Sequence, residues 1–314
     1  MDGLLSVNLN EKKNPRKNKI RYSFSDKVFI VIVCVFLVTF TFCVLYPLIY
    51  VVSCSFSSAE SLVRGQVFIV PVNPSLEGYR AVFNNEQVWT GYYNSAVYTI
   101  SGTLISVLVT FTGAYVLSRK EFPMRGIITG LYVITMFFSG GLLPFYLLIR
   151  QLKMINTIWA IILPGAFNVW LAIIARTFIQ STIPEELFEA TALDGGDYFQ
   201  YFMKVVFPLS KPILAVLALN FAVGFWNSYF NALIFLNDSK KFPLQIILRN
   251  ILISKQVDYE SLSATDAKSL LERQYLSELL KYSLIIVASV PLLVVYPFIQ
   301  KYFIKGVMIG SIKG

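Results

Sequence analysis

Six windows of this chain contain no aspartate, glutamate, lysine or arginine: Val28–Ala59, Gln87–Ser118, Gly126–Ile149, Met154–Ala175, Pro212–Asn237 and Tyr282–Gln300. Each supplies the roughly 20 residues that a helix needs to cross a bilayer, the last only just. Backbone groups in lipid must be satisfied within their own segment, so such runs fold as helices. Composition agrees: 56% of the 314 residues are hydrophobic and only 14% are charged, outside the range of a soluble globular domain. The expected fold is an all-α membrane protein with six transmembrane helices, preceded by a tail at 1–27. The membrane domain then occupies 28–314, with its core at about 90–302.

Six crossings put both termini on one side, and basic residues indicate which. Lys12, Lys13, Arg16, Lys17, Lys19, Arg21 and Lys27 precede the first span, and Arg119, Lys120 and Arg125 lie between the second and third. Both segments are expected in the cytosol, hence both termini. The connection from Asp238 to Lys281 is also basic and disagrees; the first tail is given precedence because the first helix usually sets orientation. The net charge of +9 is then a topology signal. No folded soluble face carries it, so nucleic acid is not an expected partner. The first window is too long for a signal-peptide core and reads as a retained anchor. Cys34, Cys43 and Cys54 fall in or just after it, too far apart along a helix to pair.

Several chemistries are excluded. The chain has no histidine, which removes histidine triads, proton relays and most zinc sites. It has no G-x-x-x-x-G-K-[ST], so it binds no ATP through a P-loop. No span holds a pair of carboxylates. An enzyme is therefore not expected, nor any cofactor. A secondary transporter would show an inverted repeat or ionisable coupling residues within its spans, and neither is visible.

Between the fourth and fifth windows lies Ile183–Pro212, too polar and too interrupted to cross a membrane. Thr182, Pro184 and Glu185 read as a helix start, and Asp194-Gly195-Gly196 as its stop. Asp197 to Gln200 reads as a second capping box, with Phe199, Phe202, Met203 and Val206 along one apolar face. Pro208 and Pro212 break the chain again. The result is a helix–Gly–helix elbow at 183–208 with Glu185, Glu186, Glu189 and Asp194 on its wet side.

This elbow resembles the EAA loop of permease subunits of ABC importers. Glu189, Ala190, Thr191, Asp194-Gly195 and Phe207-Pro208-Leu209 carry the resemblance; Thr191 and Gly196 stand where alanine is common. The resemblance implies a type I importer permease fold in a bacterial plasma membrane. It also implies that Glu185, Glu189, Ala190, Asp194, Gly195 and Gly196 couple the chain to an ATPase subunit. An amphipathic hairpin that only braces the bundle is the alternative. The remaining implied partners are a second homologous permease, an ATPase dimer that binds the ATP, an extracellular solute-binding protein and membrane lipid.

Other stretches agree. Pro74 to Tyr79, Asn94-Ser95, and Ala114 to Arg119 are similar to the same family. Trp226-Asn227, Asn231-Ala-Leu-Ile and the end Lys305–Gly314 resemble carbohydrate permeases of the maltose type, in particular those for complex oligosaccharides. Asn220, Asn227 and Asn231 follow at seven- and four-residue intervals, which would place them on one helical face. With Trp226 and Tyr229 they suit an oligosaccharide, whose rings offer apolar C–H faces and hydroxyl rims. The same amides equally suit hydrogen bonds between helices, and a permease for a non-sugar solute is the alternative function.

Three local expectations complete the reading. Ser95, Gly102, Ser106 and Thr110 bring the second span inside the bundle, because small residues let helices approach closely. Ser139-Gly140-Gly141 and Pro144 break the third span, either at the pathway or as a plain kink. Asp238–Leu280 is an extended outer connection, a docking surface for a binding protein, with a helix from Ser269.

Overall fold

The computed structural model describes residues 23–260 and 267–310, with side chains described at 23–253, 275 and 277–297. The basic tail ahead of Ser23 and the side chains of the terminal Lys305–Gly314 stretch lie outside it. Among the described residues the structure is helical, with no strand. The chain divides into two units, Met1–Ile49 and Tyr50–Gly314. In the first, the described residues from Phe24 onward belong to α1 (Phe24–Ser55).

The second unit continues through α2 (Ala59–Val63) and α3 (Glu77–Phe83). Then comes α4 (Glu86–Ser118), capped by Asn85 Oδ1, which accepts from the Gln87 amide at 3.0 Å. Its buried side is Ser95, Gly102, Ser106, Thr110 and Ala114, a stripe at mostly four-residue spacing. A Cβ on Gly102 would come within 2.7 Å of the Phe225 ring, and one on Gly91 within 3.0 Å of the Leu244 backbone. The small side chains expected to draw this helix inward do so, and larger residues from its neighbours fill the space they leave.

The chain goes on through α5 (Arg125–Phe137), α6 (Leu142–Gln151), α7 (Trp159–Ile162) and α8 (Val169–Thr182). The elbow follows as α9 (Glu186–Leu193), α10 (Tyr198–Tyr201), a π-helical turn at Phe202–Val206 and α11 (Phe207–Leu209). After it come α12 (Lys211–Trp226), α13 (Phe230–Phe235), α14 (Leu244–Glu260) and α15 (Ala267–Gly310). One core cluster joins Phe111, Tyr115, Leu171, Ile179, Leu217 and Phe225 around α4. A second joins Val88, Trp226, Leu244, Leu248 and Leu284 at its N-terminal end.

By length and composition three helices can cross a membrane: Phe24–Ser55, Glu86–Ser118 and Ser277–Pro297. Three pairs also qualify jointly but are bent: α5 with α6 by 117°, Trp159–Gly165 with α8 by 48°, and Tyr198–Leu209 with α12 by 78°. The break expected at Ser139-Gly140-Gly141 is thus a sharp corner, and Gly141 sits at φ +83°, open to glycine without strain.

Two expectations need correction. The helix of the fifth window stops at Trp226, where Asn227 and Ser228, two weak helix formers, follow in succession, and it resumes at Phe230. The connection after Asp238 is not an extended loop where it is described. Residues 244–260 form α14, and Leu244, Ile247, Leu248 and Ile251 are buried against Val88, Trp226, Leu280 and Leu284. The Leu244 amide donates to Ser95 Oγ at 2.8 Å, tying α14 to the small-residue stripe of α4.

Candidate functional site

The elbow turns at a Schellman motif. Asp194 ends α9, Gly195 sits at φ +75°, and the Gly195 and Gly196 amides donate to the Ala192 and Thr191 carbonyls at 3.1 and 2.8 Å. Gly195 is needed for its backbone angle, since nothing lies within 4 Å of its missing Cβ. Gly196 is needed for room, since a Cβ there would lie 2.6 Å from Thr191 Cγ2 and 3.0 Å from the Thr191 carbonyl. Asp197 then caps α10, its Oδ1 accepting from the Gln200 amide at 2.7 Å. The first expected box is not formed. Thr182 remains in α8, and Glu185 precedes α9 without a side-chain cap, because the Ile183 amide still bonds back to Ile179 at 3.1 Å.

The apolar face of the second half also differs from the expected set. Tyr201 and Val206 are buried, with Phe202 and Val205 packed partly against the same core, while Phe199 and Met203 are exposed. The π turn supplies the reason: with Pro208 lacking an amide, the Phe207 amide bonds to Phe202 and the register advances by one residue. Leu193 at 89% and Phe199 at 70% exposure leave an apolar patch beside exposed Glu189, Ala190 and Asp194.

Glu185 belongs to the other side. It accepts from Lys120 at 2.8 Å and from Arg119 at 3.3 Å, and so faces the end of α4 rather than open water. Arg119 also pairs with Glu121 at 2.9 Å and lies 4.1 Å over the Phe188 ring and 5.5 Å from that of Tyr201. The hydrogen bond to Glu185, reinforced by its charge, raises the Lys120 ammonium above the ordinary lysine value. In the sequence, Arg119 and Lys120 are legible as topology charges and Arg119 as the end of the stretch from Ala114 that is similar to the family. Their role in holding the elbow depends on contacts across 66 positions of chain, which no local pattern encodes.

The polar residues around the end of α12 are split by the helix break. Asn220 and Asn231 line one cavity of about 330 Å³ together with Asn168, Trp170, Phe225 and Ser228. Asn220 Nδ2 donates to the Val216 carbonyl at 2.9 Å, and Asn168 Oδ1 accepts from the Leu171 amide at 3.0 Å. Asn227 leaves this face; its Oδ1 meets Gln245 Nε2 at 3.4 Å. Tyr229 is half-buried, with Arg249 at 5.8 Å from its ring. Trp226 is 6% exposed and its indole N–H donates to the Ala288 carbonyl at 2.9 Å. Asn168 joins this lining because α8 packs beside α12, and Ser228 because α12 ends at Trp226; neither is marked by sequence spacing. Among the described residues no group of three or more metal-ligating side chains occurs.

No family model matches the chain. It is 36% identical over 289 residues to the polygalacturonan/rhamnogalacturonan transport system permease protein YtcP of Bacillus subtilis (strain 168), covering 92% of this chain and 99% of that one. Protein LplC of the same organism is 37% identical over 268 residues, 85% of this chain and 89% of its own. Among solved structures, a bacterial ABC transporter involved in the import of the acidic polysaccharide alginate superposes with a TM-score of 0.80. That match is 33% identical and covers 90% of this chain and 99% of its counterpart. The likeness covers most of this chain and of its counterparts, and the chain belongs to the family of membrane permease subunits of ABC oligosaccharide and polysaccharide import systems.

Proposed function

We propose that this chain pairs with a second, homologous permease to form the passage through which an oligosaccharide crosses a bacterial plasma membrane. The observation that carries this is the near full-length likeness, in sequence to a permease named for polysaccharide transport and in three dimensions to a chain of an ABC transporter involved in polysaccharide import. In this reading each bent pair and each long helix forms part of a six-span bundle, with both termini in the cytosol and the membrane domain at 28–314. An ATPase dimer binds and hydrolyses the ATP, and an extracellular binding protein delivers the solute. The elbow at 183–208 docks on the ATPase through Glu189, Ala190, Asp194 and the exposed Leu193 and Phe199. Glu185, Arg119 and Lys120 hold it to the bundle behind.

The cavity of Asn168, Asn220, Ser228 and Asn231 supplies this subunit's share of the passage. Its lining carries no charged side chain, so it reads hydroxyl groups through amides, with Trp170 and Phe225 offering faces to sugar rings. In cells carrying the complete transporter, Asn220→Ala with Asn231→Ala should lower oligosaccharide uptake about tenfold, the loss expected for two hydrogen bonds. Complex assembly should be unchanged. Trp226→Ala should instead lower the thermal stability of the complex. Normal uptake by the double asparagine variant would remove this cavity from the passage.

A further inference from the structure

At the end of the bundle away from the elbow, two connections are tied together by hydrogen bonds. The Asn156 amide donates to the Phe235 carbonyl at 2.7 Å, and Asn156 Oδ1 accepts from the Asn237 and Asp238 amides, both at 3.2 Å. Lys241 Nζ donates to the Asn156 carbonyl at 2.9 Å. Asn94 Nδ2 and the Tyr98 hydroxyl, both on α4, donate to the Lys240 and Lys241 carbonyls at 2.8 and 2.7 Å. Tyr98 lies roughly 30 Å along α4 from Arg119, where the elbow is held.

Charge on this platform is one-sided. Residues 150–157 and 236–253 hold Arg150, Lys153, Lys240, Lys241 and Arg249 against Asp238 alone. Arg150, Lys153, Lys240 and Arg249 are exposed, and no ion pair among the described residues reaches any of these cations. With the elbow in the cytosol they face outside, where short connections are otherwise poor in lysine and arginine. Topology therefore does not account for them.

Their neighbour is the polar cavity beside α12 and α13. Phe235, which takes the Asn156 amide, is one helical turn on from Asn231 in the cavity lining. Arg249 stands 5.8 Å from the ring of Tyr229, which falls between the lining residues Ser228 and Asn231. The lining itself offers an anion no counter-charge. Cations beside it supply one, and a guanidinium can take both oxygens of a carboxylate. Several like charges around one opening also raise the local concentration of anions and their rate of entry.

We propose that the solute is an acidic oligosaccharide, whose uronate carboxylates are drawn to the cavity by Lys153, Lys240 and Arg249. This rests on the cavity's place in the passage and adds the class of solute that enters it. The test uses the complete transporter with its binding protein in proteoliposomes. It is offered mixed uronate oligomers or mixed neutral hexose oligomers of matched length. Uronate oligomers should enter about tenfold faster than neutral ones. Lys153→Gln, Lys240→Gln and Arg249→Gln together should remove that preference in low salt, leave neutral uptake unchanged, and matter less in high salt. Lys153→Arg, Lys240→Arg and Arg249→Lys together should keep most of it. Unchanged uronate uptake by the glutamine variant would overturn the proposal. An equal loss for both classes, with weaker capture of the binding protein, would make these cations a docking surface and overturn it too. Entry of neutral oligomers alone into the unaltered transporter would sink the acidic assignment and leave the passage standing. Entry of neither class would remove the passage reading itself. Should the triple variant fail to assemble, Arg249→Gln alone, at an exposed side chain, decides by the same comparison.

Discussion

The guanidinium of Arg119 leaves the end of α4 and meets two carboxylates and two aromatic faces, with only 12% of the side chain exposed. A planar cation between Phe188 and Tyr201 gains from the rings as well as from Glu185 and Glu121, and water competes weakly there. Removing it leaves Glu185 held by Lys120 alone. Arg119→Ala should therefore cost the elbow about 2 kcal/mol of local stability, the range of a desolvated cation–π contact. Hydrogen exchange of the amides from Glu186 to Tyr201 should speed up by about tenfold or more, while those in the middle of α4 stay protected. Arg119→Lys should restore little, because an ammonium lacks the flat face. Unchanged exchange in the alanine variant would mean that the elbow is held by its apolar contacts alone.

At the scale of elements, the bundle depends on how closely α12 can approach α4. The Phe225 ring occupies the space a side chain on Gly102 would take, whereas nothing lies within 4 Å of Gly130 on α5. A methyl at position 102 overpacks this contact, a change that typically costs about 1–3 kcal/mol. Gly102→Ala should lower the thermal midpoint of the detergent-solubilised protein, Gly130→Ala should not, and Phe225→Leu added to Gly102→Ala should recover part of the loss. Equal midpoints for the two glycine variants would show that α4 and α12 separate without cost. The corner between α5 and α6 follows different physics. Gly141 there needs a positive φ and has no neighbour to clash with, so its constraint lies in the backbone, not in packing.

For the whole molecule, the basic tail and Arg119, Lys120 and Arg125 are expected on the cytosolic side. In a background where Cys34, Cys43 and Cys54 are replaced, a cysteine at exposed Ser239 should react with a membrane-impermeant maleimide applied to intact cells. One at exposed Asp194 should react only after the membrane is opened. Labelling of position 194 in intact cells would invert the bundle and place the elbow outside, where no ATPase could reach it.

What the residues determined alone was whatever depends on local chemistry. Uncharged runs dictate helices, because lipid offers backbone amides no partner, and small residues spaced along 95–110 mark the face that turns inward. Asp194-Gly195-Gly196 encodes its turn through a left-handed angle and a close approach, and Asp197 encodes a cap; both are contacts within six residues of chain. The tertiary structure decided what depends on packing between distant segments. The face of 198–206 shifted because a π turn beside Pro208 changed its register, and the asparagines parted because α12 ends at Trp226. Trp226 is tied into the bundle because the Ala288 carbonyl, 62 positions away, lies within reach of its indole N–H. Glu185 turned from water to Arg119 and Lys120 for the same reason: a charge's partner is chosen by whichever helices end beside it, and sequence spacing carries no record of that.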